Sequence, residues 1–141
     1  MNITFVSVGK IKNQELASLF RSYINRLDHY ASVKSIDVKD STLQKESKLL
    51  LEKSQGTHRI VLSEEGKQCT SVEFARFISN LTKDISFIIG GPEGLSPEVK
   101  KNADMLLSLS TMTLPHELCR VLLAEQVYRA FTIINKEKYH K

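Results

Sequence analysis

The chain has 141 residues, 41% of them hydrophobic and 26% charged, which fits one globular domain over residues 1–141 with a true buried core. Its net charge of +4 is mildly basic, compatible with an anionic partner but weak as a sign of one. No apolar run approaches the roughly 18–20 residues that span a bilayer, and the opening "MNITFVSVGK" lacks a charged leader and a cleavage site. A membrane protein and a secreted one are therefore not expected.

"ITFVSV" (Ile3–Val8) is short and β-branched and reads as a buried strand ended by Gly9. Leu16, Leu19, Phe20, Tyr23, Ile24 and Leu27 then recur at helical spacing and form one apolar stripe. "VKSIDV" (Val33–Val38) predicts a second strand, and the polar stretch 39–56, with Leu49–Leu51 as its apolar patch, a helix. "RIVLS" (Arg59–Ser63) is a third strand followed by a polar loop, "EEGKQC". Thr70 with Glu73 three residues on makes a capping box for a helix that buries Phe74, Phe77, Ile78 and Leu81. "ISFIIG" is the fourth strand, Ser96 and Pro97 open a further helix, "MLLSLS" (Met105–Ser110) is the fifth strand, and Leu118 to Ile134 form a last long helix.

Strands separated by helices predict an α/β fold, a mostly parallel sheet with helices on both faces. Ligands of such sheets bind beyond the carboxyl ends of the strands. Two loops lie at such ends, the glycine turn "GGPEGLSPEV" after the fourth strand and "STMTLPHE" after the fifth. Gly90, Gly91 and Gly94 stand at relative positions 1, 2 and 5, which does not fit the 1, 3, 6 spacing of a dinucleotide turn, and no Gly-Lys-Ser/Thr follows. They also fit a plain tight strand-to-helix turn. The second loop is uncharged, rich in hydroxyls and pinned by Pro115, so it offers backbone polar groups and apolar walls to a neutral ring. A nucleoside without phosphate suits the pair of loops better than ATP or NAD. Cys69 and Cys119 are isolated, with no zinc spacing, and read as reduced thiols in a cytoplasmic protein that holds no metal.

"IIGGPEGLSPEV", "LSLSTMTLPHELCRVLLAEQVYRA" and the terminal "YHK", with "ITFVSVGKIK" and "RIVLSEEGK", resemble the RlmH (YbeA) family, small bacterial members of the SPOUT methyltransferases. The segment between Lys39 and Gly56 is shorter and less family-like. The resemblance implies transfer of a methyl from S-adenosyl-L-methionine to N3 of a pseudouridine in the helix 69 stem-loop of 23S rRNA, within the assembled ribosome. It implies a C-terminal trefoil knot and a homodimer, both beyond what periodicity shows. Carried onto this chain, it puts cofactor contacts at Leu62, Gly90, Leu109, Ser110, Thr111, Met112, Thr113 and Leu114, with the cofactor packed against a Gly90 that has no side chain to block it. Other members of the wider class act on other RNAs such as tRNA, and a non-catalytic ribosome-binding protein would share the pocket.

N3 of pseudouridine is an imide-type nitrogen that carries a proton, so some group must share or remove it. His116, Arg120, Tyr139 and His140 are the candidates put forward, with Glu117 and Glu125 behind them. A histidine beside the cofactor loop can equally fix the turn, and Arg120 can hold a phosphate, the base or a surface salt bridge. Tyr139 and His140 lie in a polar tail with no apolar periodicity, expected to pack little and to be placed near the active site by family pattern. Lys10, Lys12, Arg21, Arg26, Lys136, Lys138 and Lys141 are possible phosphate contacts. The surplus of apolar residues on the last helix predicts a partner surface.

Overall fold

The computed structural model describes residues 1–141. In chain order it has β1 (Asn2–Val8), α1 (Gln14–Leu27), β2 (Ser32–Val38), α2 (Leu43–Lys53), β3 (His58–Lys67), α3 (Ser71–Ser79), β4 (Ile85–Ile89), α4 (Pro97–Lys101), β5 (Met105–Leu107) and α5 (His116–Ile134). The strands form one sheet in the order β2-β1-β4-β3-β5, and every neighbouring pair is parallel. The α/β expectation holds in full.

Alternation along β1 divides the core. Ile3 and Phe5 point to one face, where Phe20 and Leu27 of α1, Phe74 and Ile78 of α3, and Val121, Leu123, Val127 and Phe131 of α5 complete the larger cluster. Val6 and Val8 point to the other, meeting Leu50 of α2 and Val99 of α4. β4, the middle strand, is buried along its whole length, as an unbroken apolar run in a sheet covered on both sides should be. The Thr70 capping box forms as read: Thr70 Oγ1 accepts from the Glu73 amide and Glu73 Oε1 from the Thr70 amide. Ser96 caps α4, with Pro97 opening it.

The helix expected over 39–56 is confined to Leu43–Lys53, and α3 ends before Leu81; three further differences shape the loops above the sheet. β3 runs on through "EEGK", expected to be loop, because a bulge after Leu62 lets Lys67 pair again with Leu107. Gly66 makes that possible. A Cβ there would lie 2.6 Å from the backbone of Leu106 and Leu107, so only a bare backbone can approach β5 so closely. β5 in turn stops at Leu107 rather than Ser110. Ser108 Oγ donates to the Ser110 carbonyl and Ser110 Oγ accepts from the Met112 amide, which turns the chain out of the strand. α5 starts at His116, two residues earlier than expected, just after Pro115.

The apolar surplus of α5 is mostly used inside the chain, because α5 is packed between α1 and α3. Val121, Leu123, Val127 and Phe131 are buried, whereas Leu122 remains 37% exposed. No helix is long and apolar enough to cross a membrane.

Candidate functional site

Because all five strands run the same way, the loops after β3, β4 and β5 gather on one edge of the sheet. Between them lies a cleft of about 440 Å³ lined by Leu62, Gly90, Gly91, Leu109, Ser110, Met112, Thr113, Leu114 and His116, among others. Seven of the eight residues singled out for cofactor binding thus meet in one place. Thr111 is the exception; it is exposed at the tip of the loop and not part of the lining. The extension of β3 adds Ser63, Glu64 and Glu65, α4 adds Lys100, and α5 adds Cys119. Lys100 and Glu65 form an ion pair of 3.0 Å at the rim. Glu64 and Glu65 were missed because a strand hidden in "EEGK" gives no apolar signal.

Gly90 lies in the lining, but its glycine is explained differently from the sequence expectation. A Cβ at Gly90 would point into its own turn, 2.8 Å from the Gly94 carbonyl oxygen and 2.9 Å from Leu95 Cγ. The turn, closed by Gly94 N–H donating to the Gly91 carbonyl, demands the glycine. Space for a ligand is not what excludes the side chain.

A second cavity of about 390 Å³ lies across the β5–α5 loop, between the first turn of α3 and Leu122 and Gln126 of α5. Ser108, Leu109, Ser110 and Leu114 face both cavities. One short loop is therefore the partition between them.

Arg120 does not present itself to any ligand. It is 2% exposed and its guanidinium donates to the Gly9 carbonyl at 2.9 Å and to Asp37 Oδ1 at 2.8 Å, over the ring of Phe20 at 5.3 Å. The expectation of a phosphate contact or a surface bridge is corrected: Arg120 is an internal tie from α5 to the ends of β1 and β2. Glu117 is a second tie. Its carboxylate accepts from the Lys12 and Asn13 amides, which hold its carboxyl below the usual glutamate range. It is thus occupied with structure.

The tail also departs from expectation, since it packs. The Tyr139 ring meets Tyr128 edge-on at 4.8 Å, its hydroxyl donates to Glu125 at 2.7 Å, and Arg129 lies 4.8 Å over its face. His140 Nδ1 is 3.1 Å from the Arg129 guanidinium, which also pairs with Glu125 at 2.9 Å. Burial first, then the bond to Glu125, push the Tyr139 phenol well up, so it stays a neutral donor rather than a base. Glu125 and Arg129 lie about 14 and 20 Å along α5 from His116, at 1.5 Å per residue. Within one chain, then, His116 stands at the cleft and Tyr139 and His140 stand apart from it.

The family description "Predicted SPOUT methyltransferase" matches residues 1–140. The chain belongs to the SPOUT methyltransferases. Relatives named ribosomal RNA large subunit methyltransferase H are 45% identical in Coprothermobacter proteolyticus and 42% in an Exiguobacterium species, with both chains covered in full. The second alignment spans 159 positions against 141 residues here, so this chain lacks positions that relative carries. Among solved structures, a probable methylase family protein from Haemophilus influenzae aligns with TM-score 0.63 at 13% identity, over 99% of this chain and 70% of its own. A tRNA (m1G37) methyltransferase from Aquifex aeolicus aligns with TM-score 0.59 at 15% identity, over 92% of this chain and 70% of its own. Both show the fold alone.

In this SPOUT methyltransferase the cleft combines a bare backbone turn at Gly90–Gly91, a hydroxyl-bearing loop at Ser110–Thr113, the Lys100–Glu65 ion pair and, in Glu64, a carboxylate outside any ion pair. Such a lining hydrogen-bonds a neutral ring through main-chain groups and favours positive charge at its acidic side. No three metal-ligating side chains converge.

Proposed function

We propose that this chain is an S-adenosyl-L-methionine-dependent methyltransferase that modifies N3 of a pseudouridine in helix 69 of 23S rRNA within assembled ribosomes. The observation that carries the reading is the convergence of Leu62, Gly90 and the Leu109–Leu114 loop on one cleft, in a chain whose close relatives bear the name of a large-subunit rRNA methyltransferase.

The residues fit the cofactor. A volume of about 440 Å³ falls within the usual range for small-molecule sites, about 300–1,000 Å³. Leu62, Leu109 and Leu114 supply apolar walls for an adenine, main-chain groups of the loop supply its hydrogen bonds, and the unpaired Glu64 suits a cationic ligand, Glu65 being held by Lys100. When bound, S-adenosylmethionine supplies an electrophilic methyl on its sulfonium. The remaining task falls to the chain: to hold the target base in line, keep water out and share the N3 proton. His116, on the cleft, is the group of its own chain placed to do so. Tyr139 and His140 join only if a second copy brings its tail to this cleft, and the distance along α5 supports a twofold homodimer in which it does. Exposed Leu122 and Met112, 37% and 74% accessible, support such a partner surface. We further infer one domain over residues 1–141, a location with cytoplasmic ribosomes, and a trefoil knot among the loops of β3, β4 and β5, whose adjacency suits it.

Purified protein, labelled cofactor and ribosomes lacking the modification test the reading, with the product nucleoside located by mass spectrometry. Methyl at N3 of the helix 69 pseudouridine is the expected result. Methyl transfer to tRNA instead, or cofactor binding by calorimetry with no transfer to any RNA, would overturn it.

A further inference from the structure

The β1–α1 loop, Gly9–Asn13, is fixed at both ends. Gly9 N–H donates to the Val38 carbonyl at 2.7 Å and the Gly9 carbonyl accepts from Arg120 at 2.9 Å. At the far end the Lys12 and Asn13 amides donate to Glu117 at 3.0 and 3.2 Å. Ile11, half-buried, anchors the middle against the larger core cluster. What this rigid loop shows to solvent is Lys10 and Lys12, both exposed.

Lys39 stands beside them. It follows Val38, whose carbonyl holds the Gly9 amide, and it too is exposed. All three lysines lie past the carboxyl ends of β1 and β2, on the edge of the sheet that also carries the cleft. Of the nearby acids, only Asp37 is neutralised, by Arg120. Glu117 is turned to the two amides and Asp40 to the carboxyl of Glu46; these two and Glu15, on the first turn of α1, keep negative charge near the lysines without pairing with them. None of the three lysines is in an ion pair of the structure.

Lysines on a mobile loop lose side-chain and backbone freedom when they bind, whereas a pinned loop has already lost the backbone part. Unpaired ammonium groups on fixed backbone, at the edge that holds the cleft, suit a polyanion of regular charge spacing. We propose that Lys10, Lys12 and Lys39 form a phosphate-binding rim that holds the sugar-phosphate backbone of the RNA whose base enters the cleft. The proposal rests on the RNA methyltransferase reading above and adds the surface that reading lacks. Arg120 and Glu117 take no part in binding; they hold the loop in place.

The test replaces Lys10, Lys12 and Lys39 by Gln together, in the full chain. Methyl transfer to ribosomes is measured across a salt series, with cofactor binding by calorimetry in parallel. The expected result is unchanged cofactor affinity, a KM for ribosomes raised at least tenfold, and kcat nearly unchanged. The salt dependence of log KM should be flatter by about two to three, at roughly 0.7–0.9 for each phosphate that the variant no longer neutralises. A wild-type KM and salt slope in the triple variant would overturn the rim. A KM loss with ribosomes that vanishes with protein-free rRNA fragments would overturn it too, since the lysines would then face a ribosomal protein. If the wild type itself transfers no methyl to RNA, the methyltransferase reading fails first, and direct binding of both proteins to the rRNA stem-loop still decides the rim.

Discussion

Arg120 separates two accounts of the same residue, one as a ligand contact and one as an internal tie, and a double-mutant cycle with Asp37 decides between them. The guanidinium side chain is 3% exposed and the carboxylate 31%. Removing one partner of a fully buried pair costs about 3–5 kcal/mol; access of water to Asp37 lowers that here. Asp37→Ala strands a buried cation and should cost about 2–3 kcal/mol. Arg120→Met keeps much of the stem packing over Phe20 but loses a charged hydrogen bond to the Gly9 carbonyl, a contribution of about 1.5–3 kcal/mol. Once the arginine is gone, Asp37→Ala should cost almost nothing more, giving a coupling of about 2 kcal/mol. Urea unfolding at fixed protein concentration reads each corner of the cycle. Arg120→Met with a wild-type midpoint but lost methyl transfer would refute the reasoning and return Arg120 to the substrate. Independent, additive effects of the two changes would refute the ion pair.

Gly90→Ala should shift the Gly90–Leu95 turn, lower stability by about 1–3 kcal/mol through overpacking and weaken cofactor binding at least tenfold; wild-type affinity by calorimetry would show that the turn absorbs a Cβ after all. Truncation after Lys138 removes the Tyr139 interactions with Glu125, Tyr128 and Arg129 and should lower stability by about 1–3 kcal/mol, while cofactor binding stays intact. Methyl transfer in that variant should fall by about 10²–10⁴, the range for a missing acid–base group, and full activity would remove the tail from the site. Glu117 has its folded-state pKa depressed from an ordinary 4.5, so its contribution is complete above that value and is lost as pH falls through the lower folded value. Glu117→Gln should therefore flatten the loss of stability measured below pH 4.5, and an unchanged acid limb would contradict the two amide bonds.

Periodicity carried most of the architecture, because the stripe Leu16–Leu27 and the run "ISFII" each fit one burial pattern. It failed where polar residues sit inside regular structure. "EEGK" continues β3 because strand pairing depends on backbone groups, which Glu and Lys carry as well as Val does. Arg120 reads as a surface charge in any sequence; its burial depends on an aspartate 83 residues away. The tail packs through rings and charges, Tyr139 on Tyr128 and Arg129, and such packing has no repeat to detect. The two loops of the cleft were singled out by their place beyond the strand ends, but a particular ligand only by resemblance, since nothing in "STMTLPH" alone specifies which ligand it meets.

The all-parallel sheet also governs how the molecule is made. No neighbouring pair of strands can close by a tight hairpin, so each pairing waits for the chain to return over a connection long enough to hold a helix. Such nonlocal topologies fold slowly, because the entropy of closing a long loop is given up before strand pairing compensates for it. β5, three residues long, completes the cleft and pairs only with β3 on the edge of the sheet. An unfinished chain therefore has no complete binding site. A small molecule seated there attaches only to finished protein and stabilises it in proportion to the logarithm of its concentration. Ligand supply during synthesis thus bears on how much of the protein survives to act, apart from any chemistry it later takes part in.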